Sequence, residues 1–136
     1  MVLQNTAFIG HFRESAESRG KLPPNKIDEI TPASPHGEVT ELLRRDGGKT
    51  NASAAAVLGY LNDGGDPNVL MHRARELVFH KGNDAHDYKY SAALLEDYYA
   101  RSPQWRDRIM AAGSALLPDE NAKDTDLAAR VHDAFA

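Results

Sequence analysis

The sequence predicts an all-α domain, an irregular antiparallel bundle of six or seven helices with a proline-rich loop over residues 21–36 draped across it. Three observations carry that prediction. Apolar residues recur at three- and four-residue spacing along most of the chain, no stretch alternates apolar and polar residues for long enough to make a strand, and Gly or Pro stands at most breaks between periodic segments. At 136 residues, 41% hydrophobic and 26% charged, the chain has the profile of a single domain spanning 1–136. A chain of this size buries roughly two-thirds of its unfolded surface, enough for a core without metals or disulfides.

Taken in order, the first predicted helix runs from about Thr6 to Arg19, with Phe8, Ile9, Phe12 and Ala16 at helical spacing and Gly20 as its stop. Residues 21–36 hold four of the seven prolines and cannot continue it. A short helix then carries Val39, Leu42 and Leu43 and ends at Gly47 and Gly48. The next starts near Thr50 or Asn51, either of which can cap, uses Ala54, Leu58 and Leu61, and stops at Gly64 and Gly65. Asp66 followed by Pro67 is an N-cap with proline at the first helical position, opening a helix whose stripe is Leu70, Ala74, Leu77 and Val78 and whose stop is Gly82. Residues 84–101 form a helix on which Tyr88, Ala92, Leu95 and Tyr99 share one face. Ser102 and Pro103 repeat the cap-then-proline device, and Trp105, Ile109, Ala112 and Leu116 line the helix that Pro118 ends; Trp105 is expected in the core. A last helix begins at Thr125 and carries Leu127, Val131 and Phe135.

Composition excludes several functions. With 16 basic against 20 acidic residues, a net charge of −4 and no clustered basic face, a nucleic-acid partner is not expected. Without cysteine there are no thiolate metal sites, Cys nucleophiles or disulfides. The most apolar stretches are about half the length that spans a bilayer, and the opening residues lack a secretory pattern, so no membrane partner and a cytoplasmic location are expected. Apolar residues sit at both ends of the chain, which fits a piece of a longer protein as well as a complete one. If the ends are cut, Val2, Leu3 and Phe135 are expected to form an uncovered patch that promotes self-association.

Chemistry-bearing side chains concentrate in residues 72–90. At about 100° per residue, His72, Glu76 and His80 fall on one stripe opposite Leu70 and Leu77, a weak candidate for half a metal site. The spacing matches neither the HExxH nor the ExxH pattern, so ordinary i,i+4 pairing on an exposed face is the favoured reading, with no metal. In the following helix His86, Tyr90, Ala93 and Asp97 lie opposite the Tyr88 and Leu95 face, with Leu94 beside them, so two sides look covered. The site prediction is a pocket lined by His86 as proton shuttle, Lys89 as the charge that orients an oxygen, and Tyr90 as hydrogen-bond donor. The competing reading makes His86 a helix cap and Tyr90 packing with a wet hydroxyl. The His-Asp pairs at 86, 87 and 132, 133 lack the surroundings of the metal phosphohydrolases that use that dipeptide. Nucleophile elbows, phosphate loops and dinucleotide fingerprints are absent, so no cofactor is named by the sequence.

The stretch DAHDYKYSAALLEDYYARSP resembles the His-x-x-Lys-aromatic helix of the questin oxidase-like family, with His86, Lys89, Tyr90, Ala93 and Glu96 at the matching positions and continuation into WRDRIMAAGSALL. That resemblance covers residues 84–115, about a quarter of the chain, and implies an all-helical fold with oxidoreductase chemistry of the Baeyer-Villiger type. Amino-terminal histidine segments of that family have no counterpart here. Two functions follow as expectations. One is a helical oxidoreductase-like domain whose His/Lys/Tyr pocket takes a small carbonyl or aromatic ligand; the other is a non-catalytic helical interaction or packing module, the carboxy-terminal part of a larger protein in one version.

Overall fold

The computed structural model describes residues 14–15, 27–44 and 50–136. Among these residues it is all-helical, with five α-helices and no strand: α1 (Thr50–Asn62), α2 (Pro67–Lys81), α3 (Ala85–Glu96), α4 (Arg106–Ser114) and α5 (Leu127–Phe135). A 3-10 turn at Ile27–Glu29 precedes them. The helix expected over 6–19 lies outside the described residues apart from Glu14 and Ser15. The short helix expected around Val39 is instead a pair of turns, closed by Glu41 N–H to Glu38 O (2.8 Å) and Arg44 N–H to Glu41 O (3.0 Å). Three-residue spacing of bonds suits so short a segment, and it still delivers Leu42 and Leu43 fully into the core.

Caps explain where the helices start and stop. Asp66 accepts from Asn68 N–H (2.8 Å) ahead of Pro67, satisfying an otherwise orphan donor of α2. Asp84 does the same for α3, accepting from His86 N–H (2.6 Å) and Asp87 N–H (3.2 Å). After α1 the chain turns through Gly64 at φ 85°, where Gly65 N–H returns to Tyr60 O (2.9 Å). Ser102 and Pro103 do not open α4. They form a turn in which Ser102 O accepts from Trp105 N–H (2.9 Å), and α4 begins three residues past the proline with no side-chain cap.

One core joins Leu42 and Leu43 to α1 (Val57, Leu58, Leu61), α2 (Leu70, Met71, Ala74, Leu77, Val78), α3 (Leu94, Leu95), Tyr98 and α4 (Met110, Ala111), closing with Leu117. Each fully buried Leu contributes about 1.5–3 kcal/mol relative to exposure. The most extensive helix pair is α1 with α4. Here the sequence expectation is corrected: α4 turns Met110, Ala111, Gly113 and Ser114 inward, while Trp105 is 37% exposed and Leu116 65%. The physical reason is room. Ala111, Gly113 and Ser114 on α4 allow α1 and α3 to approach closely, and of the predicted stripe Trp105 and Leu116 are left exposed while Ile109 packs half-buried against the core.

Residues 27–37 wrap this pair as expected for the proline-rich segment, of which 21–26 lie outside the described residues. Ala33 N–H bonds Ala55 O (2.8 Å), and the Arg108 guanidinium donates to the carbonyls of Ile27, Asp28 and Ile30 at 3.1–3.2 Å. The crossing point is Gly59, where a Cβ would collide with the Ala33 carbonyl oxygen. Residues 118–126 are stitched to α2 by Arg73 to Glu120, Lys81 to Asp124 (2.8 Å) and Thr125 N–H to His80 O (2.7 Å).

Two stability predictions follow from this packing. Gly59→Ala forces the 31–36 segment off α1 and should cost about 1–3 kcal/mol, as overpacking does; a wild-type denaturation midpoint would remove that crossing. Met110→Ala should destabilise by roughly 2–5 kcal/mol and by more than Trp105→Ala. The reverse order in urea denaturation would restore the Trp105 face to the core.

Candidate functional site

On α2, residues 70, 74, 77 and 78 face the core, and two flanks remain. His72 and Glu76 share the outer flank with an Nε2 to Oε1 distance of 3.4 Å. Glu76 also receives Arg73 at 2.9 Å, which leads the causes that hold its carboxyl below the usual range. His80 is part-buried beneath an edge-on contact with Phe79. Among the described residues no group of three His, Asp or Glu side chains is placed to hold a metal ion. The opposite flank of α2 carries Arg75 and Phe79.

On α3 the three predicted site residues part company. The His86 side chain is 95% exposed, and its nearest acidic neighbour is the helix cap Asp84 at 3.5 Å. The cap is therefore Asp84, with His86 supplying only its backbone N–H, and Lys89 is likewise exposed. Tyr90 turns the other way. Its hydroxyl donates to Gly113 O on α4 (2.9 Å), and burial pushes its phenol above the ordinary value. Tyr98, which the sequence reading passed over, is buried at 2% exposure and donates to Asp107, with the Arg106 guanidinium 5.4 Å from its ring centre. Burial and then the Asp107 bond push its phenol well up.

The core face of α3 is thus Ser91, Leu94, Leu95 and, just past its end, Tyr98. The predicted face of Tyr88, Ala92, Leu95 and Tyr99 is real, but only Leu95 belongs to the core. Tyr88, Ala92 and Leu95 form one wall of an open groove of about 290 Å³. The other wall is Val78 and Phe79 of α2, and Arg75 and Glu96 stand at its rim. Ser91 also lines it, its hydroxyl already donating to Tyr88 O (3.0 Å). Tyr88 is fixed by a bond from its hydroxyl to Gly82 O (3.1 Å). Neither Arg75 nor Glu96 makes an ion pair or side-chain hydrogen bond with another described residue. His86, Lys89 and Tyr90 are not among the lining residues.

Sequence reasoning missed Phe79 and Arg75, and it named Glu96 only through the family resemblance and not as part of this groove. The signal was present in Phe79, a large aromatic placed about 180° from Leu70 on an otherwise polar side of α2. Comparison with protein-family models, curated proteins and solved structures gives no match, so functional assignment rests on this geometry.

Tyr90→Phe should lower stability by roughly 1 kcal/mol through the lost hydroxyl bond to the Gly113 carbonyl, whereas His86→Ala should leave the melting curve unchanged. A destabilised His86→Ala variant beside a neutral Tyr90→Phe would reverse these placements. A pH effect follows from the cap. The backbone N–H groups of His86 and Asp87 hold the Asp84 carboxyl below its ordinary value of 3.8. A carboxyl with a depressed folded pKa contributes fully above its unfolded value, and that contribution is lost as pH falls through the folded one. Asp84→Asn keeps an acceptor at the cap but cannot titrate, so the loss of stability below pH 3.8 should be shallower in the variant; an unchanged acid limb would mean the cap carries none of it.

Proposed function

We propose that this protein is a helical interaction module and that the α2–α3 groove docks an amphipathic helix from a partner. The observation that carries this reading is the chemistry of the lining. Its walls are Val78, Phe79, Tyr88, Ala92 and Leu95, its two hydroxyls, of Tyr88 and Ser91, are both engaged with backbone carbonyls, and among the described residues no imidazole lines it. Such a groove accepts apolar side chains at helical spacing. Arg75 and Glu96, one charge of each sign and neither paired with another described residue, match a ligand helix flanked by both signs. At about 290 Å³ the groove is at the small end for enclosing a drug-sized ligand.

The oxidoreductase reading needs His86, Lys89 and Tyr90 to converge on one ligand. Two of those side chains are on the outer surface, and the Tyr90 hydroxyl is committed to Gly113 O. No helix among the described residues is long and apolar enough to cross a membrane.

The test is a titration of isotope-labelled protein with two probes, a synthetic amphipathic helix bearing leucines four residues apart, and an aromatic ketone. The peptide should shift resonances of Phe79, Tyr88 and Ala92, and Ala92→Arg should abolish those shifts. Absence of peptide shifts would contradict the docking reading, as would ketone-induced shifts converging on His86, Lys89 and Tyr90.

A further inference from the structure

Resting on the docking reading, we infer that the helix taken by the groove is α5 of a second copy of this chain, so that the protein forms a symmetric dimer. Among the described helices, α5 has the sharpest division of apolar and polar sides. At about 100° per residue, Leu127, Val131 and Phe135 make one stripe flanked by Ala128 and Ala134, with Asp126, Arg130 and Asp133 on the other side. Yet none of its residues is buried, and Phe135 is 88% exposed. An i, i+4, i+8 stripe of this kind is the ligand that helix-binding grooves accept.

The chain's own α5 is on the wrong side to fill its own groove. Its lead-in is tied to α2 through Arg73 with Glu120 and through the His80 carbonyl with Thr125. Residues 73 and 80 share one flank of α2, and Arg75 and Phe79 occupy the other. A second copy is free of that tether. One charge matches as well: Arg130 borders the apolar stripe of α5 and is opposite in sign to Glu96 at the rim, while Asp126 and Asp133 point away from the groove. Ala92 and Ser91 keep the floor of the groove low where a helix must approach.

Symmetry supplies the area. A nine-residue helix is only about 13 Å long, too short to hold a partner alone. In a two-fold dimer each groove takes the other copy's helix, every contact occurs twice, and the interface moves toward the roughly 800 Å² per partner of stable complexes.

The experiment is sedimentation equilibrium of the full chain from micromolar to millimolar concentration, with Phe135→Asp and Ala92→Arg as variants. Both positions are exposed, and circular dichroism checks that each variant remains folded. Wild type should show a monomer–dimer equilibrium, and each variant alone should dimerise about tenfold or more weakly. Mixing the two variants should recover part of the affinity, because one intact groove then meets one intact helix. A chain that stays monomeric at millimolar concentration overturns the inference, as does a dimer indifferent to Ala92→Arg or a mixture that recovers nothing. If the chain is monomeric while the synthetic helix still binds the groove, only the second copy is refuted; if neither associates, the docking reading falls with it.

Discussion

The contact of α3 with Gly113 sets the rotation of α3, and most of the surface follows from it. A Cβ at that position would collide with Leu94 Cδ1 and lie 2.7 Å from Cδ2, with the Tyr90 hydroxyl at 3.0 Å. Glycine therefore lets α3 sit directly on α4, and the Tyr90 bond to the Gly113 carbonyl locks the register. With Leu94 against α4, the helix period puts Ser91, Leu95 and Tyr98 inward, Tyr88 and Ala92 toward α2, and His86 and Lys89 toward water. The groove and the dispersal of the expected catalytic trio thus have one cause.

Helix α2 is held from its far side. The guanidinium of Arg73 bridges Glu76 and Glu120, and Lys81 reaches both the Ala122 carbonyl (2.5 Å) and Asp124, so residues 118–126 brace α2 along the flank away from α3. Only three residues link α2 to α3, and Gly82 within them accepts the Tyr88 hydroxyl. The groove is consequently a gap between two helices each fixed by a different neighbour. Its apolar walls are surface that this packing leaves uncovered.

Much of the helix layout was legible in the sequence because it is written in local chemistry. The Asp66-Pro67 cap, the Gly64 turn and the Gly82 stop each act within a few residues and place α1 and α2 nearly where the structure has them. The Ser102-Pro103 pair misled because a turn uses the same residues as a cap. Rotation about the helix axis was less legible. On α4 the inward side is Met110, Ala111, Gly113 and Ser114, no more apolar than the predicted stripe of Trp105, Ile109, Ala112 and Leu116, of which Ile109 alone packs against the core, so hydrophobic periodicity selects the wrong face. What decides is close approach, which depends on a partner helix far away in sequence. On α3 the stripe of Tyr88, Ala92, Leu95 and Tyr99 reads in the sequence as a core face, whereas only Leu95 is in the core, because a groove wall and a core face look alike when only one helix is in view.

The adjacent pair Tyr98 and Tyr99 tests the rotation of α3 most directly. Tyr98 is 2% exposed and hydrogen-bonded to Asp107, whereas Tyr99 is 57% exposed with its hydroxyl on Asn68 (3.1 Å). Limited nitration of dilute native protein, mapped residue by residue by mass spectrometry, should modify Tyr99 and spare Tyr98. Modification of Tyr98 with protection of Tyr99 would mean that α3 is turned the other way, with the Tyr88 and Tyr99 face in the core and no groove beside α2.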